Sequence, residues 1–205
     1  MPPASRANDT TVRALVPDVL APGLDLVFCG TAPSPISYRE RAYYANPGNG
    51  FWRTLHKVGV LPELLEPKRY AEVLRHGIGL TDLNKTEYGS DHELSPQAMD
   101  RDSVRAKLRR YKPAAVAFTS KNAGSLFFGT KTLPYGRQGE VVVDGLDDAV
   151  LSRIAYFVLS SPSGRARSWW NIQPWEEVAA FVAARRRART ELSGAMAREA
   201  GHGQR

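Results

Sequence analysis

The segment after the first apolar run has the residue types of a ligand pocket. A largely apolar, strand-like run at 24–29 gives way directly to Gly30-Thr31-Ala32-Pro33-Ser34-Pro35. Small and turn-forming residues at the carboxyl end of a strand leave backbone amides free to face a ligand, as in many α/β proteins. The sequence therefore predicts a pocket at this end of the strand.

Two further segments place aromatic and cationic side chains beside turn residues. The first reads Tyr43-Tyr44-Ala45-Asn46-Pro47-Gly48-Asn49-Gly50-Phe51-Trp52, and the second reads Ser160-Ser161-Pro162-Ser163-Gly164-Arg165. The second segment follows another apolar run at 155–159, so it also begins where a predicted strand ends. An aromatic ring can stack on a flat ligand, and a guanidinium can bind a phosphate.

Together the three segments resemble the mismatch-specific uracil-DNA and thymine-DNA glycosylases, from about Val16 to Arg187. The resemblance implies a three-layer α/β/α sandwich around a mostly parallel sheet. It also implies an enzyme that flips uracil out of DNA and hydrolyses the N-glycosidic bond, leaving an abasic site. Mismatched or damaged bases stay open as further targets, and no cofactor is expected.

The same resemblance implies a base pocket formed by Gly30, Thr31, Ala32, Pro33, Ser34, Tyr44 and Asn46. Tyr44 matches the aromatic residue that stacks on the flipped base, although a half-buried loop tyrosine is the plain alternative. Ala32 stands where the relatives have a water-directing asparagine. Its methyl group cannot hold a water by hydrogen bonding, so this chain needs another residue for that role.

Asp82 is the residue that we expect to replace the asparagine. It lies in Gly79-Leu80-Thr81-Asp82-Leu83, which resembles the family segment beside the active-site loop. A carboxylate can stabilise the positive charge of an oxocarbenium-like sugar and can orient or deprotonate water. The alternatives are that Asp82 caps its loop or pairs with a lysine, and that Asn46, Asn49 or Asn84 holds the water instead.

The third segment matches the part of the family that grips DNA. The resemblance implies contacts from Ser161, Ser163 and Gly164, a wedge side chain at Arg165, and a phosphate contact from Arg167. Arginine at the wedge position resembles the thymine-DNA glycosylase branch, since a guanidinium can fill the gap and bind the orphaned base. An ordinary surface turn is the alternative.

Composition agrees with a soluble protein that binds a polyanion. The 205 residues carry a formal charge of +7, with Arg185, Arg186, Arg187, Arg189, Arg198 and Arg205 near the end of the chain. Such a charge favours nucleic acid, although a solvated helix face would look the same. One cysteine excludes an internal disulfide and favours a reducing cytoplasm, where a bacterial protein would be nucleoid-associated. We find no membrane span and no metal-ligand spacing.

The elements that position these residues alternate between strands and helices. Strands are predicted at 24–29, 78–83, 114–119, 140–143 and 154–159. Helices are predicted at 50–58, 68–76, 96–111 with Ser95 as N-cap, 122–128, and 174–189. We therefore expect a loose leader at 1–16, one glycosylase-like domain at 17–189, and a basic, flexible tail at 190–205.

The sequence thus favours a monofunctional, monomeric DNA glycosylase acting on double-stranded DNA with uracil or mismatched bases. Single-stranded DNA stays open as a second partner, and no membrane partner is expected. Two alternatives from other classes stay open. One is a non-catalytic reader of uracil or abasic sites, and the other is an α/β hydrolase of free nucleotides.

Overall fold

A five-stranded sheet forms the centre of the fold. The computed structural model describes residues 14–139 and 148–202. Its strands are β1 (Leu26–Gly30), β2 (Ile78–Asp82), β3 (Ala115–Phe118), β4 (Gly136–Arg137) and β5 (Ala155–Val158). They lie in the order β2-β1-β3-β5-β4, and every pairing is parallel except that of β4 with β5. The predicted α/β class with a mostly parallel sheet is confirmed.

Helices connect the strands and cover the sheet. The α-helices are α1 (Pro35–Glu40), α2 (Phe51–Lys57), α3 (Arg101–Tyr111), α4 (Lys121–Phe128) and α5 (Gln173–His202). Short 3-10 segments are Pro67–His76, Asp91–Glu93, Pro96–Ala98, Leu151–Arg153 and Gly164–Trp169. Strand and helix therefore alternate along most of the chain, which is the order expected for parallel pairing.

Two apolar clusters occupy the two faces of the sheet. Leu26 and Phe28 of β1 belong to the cluster that contains residues of α2 and α5. Val27 and Cys29 belong to the opposite cluster, with residues of α3 and α4. Successive side chains of a strand point to opposite faces, so a strand that is apolar at every position is covered on both sides.

The predicted strands at 24–29, 78–83, 114–119 and 154–159 are confirmed, as are the helices at 50–58 and 122–128. Phe51 and Trp52 are buried in the core, as predicted for the first of these helices. The predicted strand at 140–143 lies outside the described residues. Strand β4 and helix α1 were not predicted, and both are short.

Two predicted helices differ in type or in starting point. The helix predicted to begin after Ser95 starts at Arg101, because Pro96–Ala98 form a separate 3-10 turn. Asp100 is the actual N-cap, and its Oδ1 accepts a 2.8 Å hydrogen bond from the Ser103 amide. The helix predicted at 68–76 is a 3-10 segment, closed by Gly77 in the left-handed region as expected.

Helix α5 continues to His202, past the predicted end at Arg189. Arg189 donates to both carboxylate oxygens of Asp25 at 3.2 and 3.0 Å, and Arg186 donates to the carbonyl oxygens of Val60 and His76. Some of the arginines near the end of the chain therefore bind α5 to the rest of the domain. No helix in the described part of the chain is both long and apolar enough to span a bilayer.

Candidate active site

A cleft of about 710 Å³ opens at the carboxyl edge of the sheet, where the loops after β1, β2, β3 and β5 meet. Most of the predicted residues line it: Gly30, Thr31, Ala32, Ser34, Tyr44, Asn46, Asp82, Ser161, Ser163, Gly164 and Arg165. Pro33 and Arg167 do not. Pro33 is buried behind the loop, where its carbonyl oxygen accepts a 3.0 Å hydrogen bond from the Gly89 amide.

Asp82 lies at the end of β2, directly beside the end of β1, because the parallel register pairs it with Gly30. The residue is only 3% exposed, yet it lines the cleft. Lys85 Nζ lies 3.7 Å from Oδ2, which is longer than a hydrogen bond. The carboxylate oxygens therefore keep acceptor capacity for a molecule in the cleft.

Burial raises the pKa of Asp82 to about 6, although the Lys85 ammonium opposes this rise. A group with this pKa is mostly ionised at neutral pH and can still take up a proton from water. A buried carboxylate with a raised pKa in a cleft is typical of a functional site. This arrangement could perform general base catalysis.

Gly30 makes room for this carboxylate. A Cβ atom at position 30 would collide with Asp82 Oδ1 and would lie 3.2 Å from the Tyr44 hydroxyl. The absence of a side chain at Gly30 therefore lets Asp82 and Tyr44 approach the same point at the bottom of the cleft.

A half-buried ionic cluster lies next to Asp82. Lys85 Nζ lies 2.9 Å from Asp18 Oδ1, and Lys107 Nζ lies 2.7 Å from Asp18 Oδ2. Burial opposes ionisation of Asp18, but the two lysines hold its pKa below its usual value. Lys85 also donates a 2.8 Å hydrogen bond to the Tyr43 hydroxyl. Lys85 is thus bound mainly to Asp18, and its pairing with Asp82 is the weaker contact.

Tyr44 is a half-buried loop residue in the left-handed region, with φ of 52°. Its ring lies on the Phe51 ring, with centroids 3.8 Å apart and planes 16° apart. Its hydroxyl donates a 3.2 Å hydrogen bond to Thr119 Oγ1. Burial, and then the nearby charge of Asp82, raise the pKa of Tyr44 well above its usual value. The ring is therefore a neutral, fixed aromatic surface in the cleft wall.

The candidate asparagines have different surroundings. Asn49 Oδ1 accepts from the Phe51 amide at 2.9 Å, and Asn46 Oδ1 accepts from the Gly48 amide at 2.9 Å. Asn84 is buried outside the cleft lining, and its Oδ1 accepts from the amides of Thr86 and Glu87. Asn84 therefore lies outside the cleft lining, with its amide group engaged within its own loop.

The turn after β5 is fixed against the loop before α2. The Gly50 amide donates a 2.8 Å hydrogen bond to the Pro162 carbonyl. A Cβ atom at Gly164 would lie 2.9 Å from the Gly48 carbonyl oxygen, so only glycine permits this approach. The Arg165 guanidinium donates to Ser90 Oγ across the cleft mouth.

Arg167 lies beside the cleft rather than in its wall. With Arg53 it lines a neighbouring pocket of about 150 Å³, which shares Gly48 and residues 161–164 with the main cleft. The predicted DNA-contacting residues are therefore close together, but they divide between two adjoining concave surfaces.

Sequence reasoning missed several residues at the site. Lys85 follows Asp82 by three positions, and this spacing was the available signal for it. Asp18 comes from a distant part of the chain, and nothing local connects it to Asp82. Trp169 lies at the rim of the cleft, in the 3-10 segment that begins at Gly164. The signal for Trp169 was an aromatic pair shortly after Arg165.

No group of three histidine, cysteine, aspartate or glutamate side chains that could hold a metal ion occurs within the described residues.

Comparison with known proteins identifies the family. The sequence model of the uracil DNA glycosylase superfamily matches residues 17–185. The solution NMR structure of a candidate uracil DNA glycosylase from Methanosarcina acetivorans is similar, with 25% sequence identity and a TM-score of 0.56. The match covers 82% of this chain and 95% of that chain. The chain therefore belongs to the uracil DNA glycosylase superfamily, whose activity is that of a DNA glycosylase, a hydrolase that acts on DNA.

Proposed function

We propose that this protein is a monofunctional glycosylase that removes uracil from double-stranded DNA, with mismatched bases as further targets. The target nucleotide leaves the duplex and enters the cleft, where its N-glycosidic bond is hydrolysed and an abasic site remains. The observation that carries the proposal is the buried Asp82 carboxylate, which lines the cleft and has Lys85 Nζ at 3.7 Å, beyond hydrogen-bond distance.

Asp82 is the group that we assign to the chemistry. As the C1′–N bond breaks, the base leaves with the bonding electrons and positive charge develops on the sugar. The ionised carboxylate stabilises that charge and orients a water, whose oxygen bonds to C1′ while its proton passes to Asp82. Since the pKa of Asp82 is about 6, the active form predominates above that pH.

Tyr44 and the loop after β1 hold the base. Phe51 covers one face of the Tyr44 ring, so the base stacks on the opposite face. Such stacking contributes about 1 to 3 kcal/mol, which offsets part of the few kcal/mol needed to extract a nucleotide. Backbone groups of residues 30–34 read the base edge, and the Ala32 methyl leaves the water-directing role to Asp82.

The turn after β5 holds the DNA. Ser163 and Arg167 contact phosphates, and Arg165 enters the gap left by the flipped base. Support comes from the position of this turn at the cleft mouth and from the net charge of +7. In the free protein Arg165 is bonded to Ser90, so it exchanges this partner for DNA.

We expect no covalent lysine intermediate and therefore no strand cleavage. A lysine forms a Schiff base only as a free amine. Lys85, the lysine nearest Asp82, is ion-paired with Asp18 and bonded to the Tyr43 hydroxyl. The Lys85 ammonium is thus held by Asp18 and Tyr43 and is not a free nucleophile.

The test is base release from a uracil-containing duplex by the native chain and by Asp82→Asn, with DNA binding measured in parallel. Asp102→Asn is the matched control, since Asp102 is an exposed residue of α3. We expect release by the native chain and the control, and a loss of at least about a hundredfold in Asp82→Asn with binding retained. The product strand should break only after alkali treatment.

Other outcomes identify the competing functions. Binding without release by the native chain indicates a non-catalytic reader, which the alanine at position 32 would favour. Release from free nucleotides that is unchanged in Arg165→Ala indicates a nucleotide hydrolase. The glycosylase proposal instead requires Arg165→Ala to lose activity on duplex DNA.

A further inference from the structure

Trp169 is a large aromatic residue that the proposed mechanism does not use. Its side chain is 74% exposed, more than that of any other large hydrophobic residue within 14–139 and 148–193. A tryptophan side chain that is exposed to water loses the favourable free energy of burying its large apolar surface. An exposed aromatic residue of this kind often marks a binding surface. Its position at the rim of the cleft is therefore informative.

The neighbouring tryptophan has a structural role that Trp169 lacks. The Trp170 ring lies against the Trp175 ring with centroids 5.8 Å apart, and the Trp175 indole donates to the Ser160 carbonyl. The first contact joins the end of the 3-10 segment to α5, and the second joins α5 to the residues after β5. Trp169 consequently projects from a fixed turn rather than from a free chain end.

The surroundings of Trp169 indicate what it binds. Arg165 and Arg167 belong to the same 3-10 segment, and Arg165 lines the cleft with Trp169. Cations beside an exposed aromatic ring suit a nucleic acid, since the cations bind phosphate while the ring stacks on a base. The net charge of +7 favours the same partner.

We propose that Trp169 stacks on a nucleobase beside the flipped nucleotide and so holds the opened DNA against the cleft. The inference rests on the proposed function in one respect, which is that DNA enters this cleft. It adds a base-binding position outside the pocket that receives the target. The base can come from the position opposite the target or from the neighbouring position on the target strand.

The test measures binding of labelled uracil-containing DNA by the native chain, Trp169→Ala and Trp169→Phe. Leu192→Ala is the matched control, since Leu192 is 65% exposed on α5 and does not line the cleft. We expect Trp169→Ala to bind about tenfold more weakly. Trp169→Phe and Leu192→Ala should bind within about twofold of the native chain, since a phenyl ring still stacks. Binding should quench native tryptophan fluorescence more than that of Trp169→Phe.

Two further DNA substrates distinguish stacking on the base opposite the target from stacking on the neighbouring base of the target strand. If the Trp169→Ala effect disappears on a duplex with an abasic analogue opposite uracil, the ring stacks on the opposite base. If the effect persists there and on single-stranded uracil DNA, the ring stacks on the neighbouring base. Either result supports the inference.

Binding and base release together distinguish the stacking role of Trp169 from the glycosylase activity. Native affinity in Trp169→Ala, together with base release by the native chain, overturns the stacking role and leaves the glycosylase intact. Weaker binding by Trp169→Ala, together with unchanged release by Asp82→Asn, supports stacking and removes Asp82 from the chemistry. A native chain that binds no DNA overturns both proposals.

Discussion

Two buried aspartates lie at opposite ends of β1 and have opposite surroundings. Asp25 precedes the strand and is 1% exposed, with Arg189 on both oxygens and Arg185 at 3.8 Å. Asp82 lies beside the other end and is 3% exposed, with one lysine at 3.7 Å and the cleft in front of it. A buried carboxylate that is paired with cations depends on them for its charge balance, whereas one that is left partly unsatisfied is available for chemistry.

A glycine touches each aspartate, so alanine at each position should separate the two roles. A Cβ at Gly30 would displace Asp82, and a displacement of about 1 Å can reduce catalysis about a hundredfold. A Cβ at Gly77 would lie 2.7 Å from Asp25 Oδ2, at a φ of +70° that costs about 1 to 3 kcal/mol of stability. Single-turnover base release and thermal unfolding measure the two effects. A native rate in Gly30→Ala would show that base release does not depend on the position of the Asp82 carboxylate.

Removing both cations from Asp25 should cost more stability than any change at Asp82. The double variant Arg185→Met and Arg189→Met leaves a buried carboxylate uncompensated, which destabilises by about 3 to 5 kcal/mol. Base release by the folded fraction should stay native. Urea unfolding measures the loss, and Arg187→Met on the exposed side of the same helix is the control. A double variant as stable as the control would show that Asp25 is not an anchor.

Asp82→Asn should stabilise the protein above pH 6. The pKa of Asp82 is raised from 3.8 to about 6, so its ionisation disfavours the fold. The folded state binds more protons than the unfolded state between these pH values, and the native chain therefore loses stability as pH rises through that window. The gain in the variant should approach about 3 kcal/mol at pH 7 and vanish below about pH 4. Melting temperatures across this range measure it, and equal stability at pH 7 would contradict the raised pKa.

Lys85→Met should move the pH dependence of base release. Native release should fall as pH drops below about 6, because Asp82 becomes protonated. Lys85 lowers the pKa of Asp82, so its removal should shift this fall upward by about 1 pH unit while the rate at high pH stays the same. Lys107→Met, which contacts Asp18 instead, should shift it less. If base release by Lys85→Met falls at the same pH as in the native chain, Lys85 does not influence the pKa of Asp82.

Strands β1, β3 and β5 could be predicted because they are almost continuous apolar runs followed by turn residues. β3 is an example, since Ala115–Phe118 is apolar throughout and is followed by a capping serine at Ser120. The helix start near Ser95 was predicted wrongly, because the serine and proline also begin a single 3-10 turn. Helix α1 has only six residues, too few for a clear apolar period.

The site residues that follow strands could be predicted from the sequence. Those brought to the site by contacts between distant parts of the chain could not. Residues after β1, β2 and β5 converge because parallel strands end at one edge of the sheet. The Asp18 cluster and the contact between Arg165 and Ser90 join distant parts of the chain, and no local pattern indicates them. The difference between Trp169 and Trp170 likewise depends on the packing of Trp175.

Single-turnover uracil release at pH 8 by the native chain, Asp82→Asn and Asp25→Asn, with DNA affinity measured alongside, tests whether the chemistry depends on Asp82. We expect Asp82→Asn to lose at least about a hundredfold in rate with affinity retained, and folded Asp25→Asn to stay within about twofold of native. Native release by Asp82→Asn, or an equal loss in both variants, would contradict the assignment of the chemistry to the unsatisfied carboxylate.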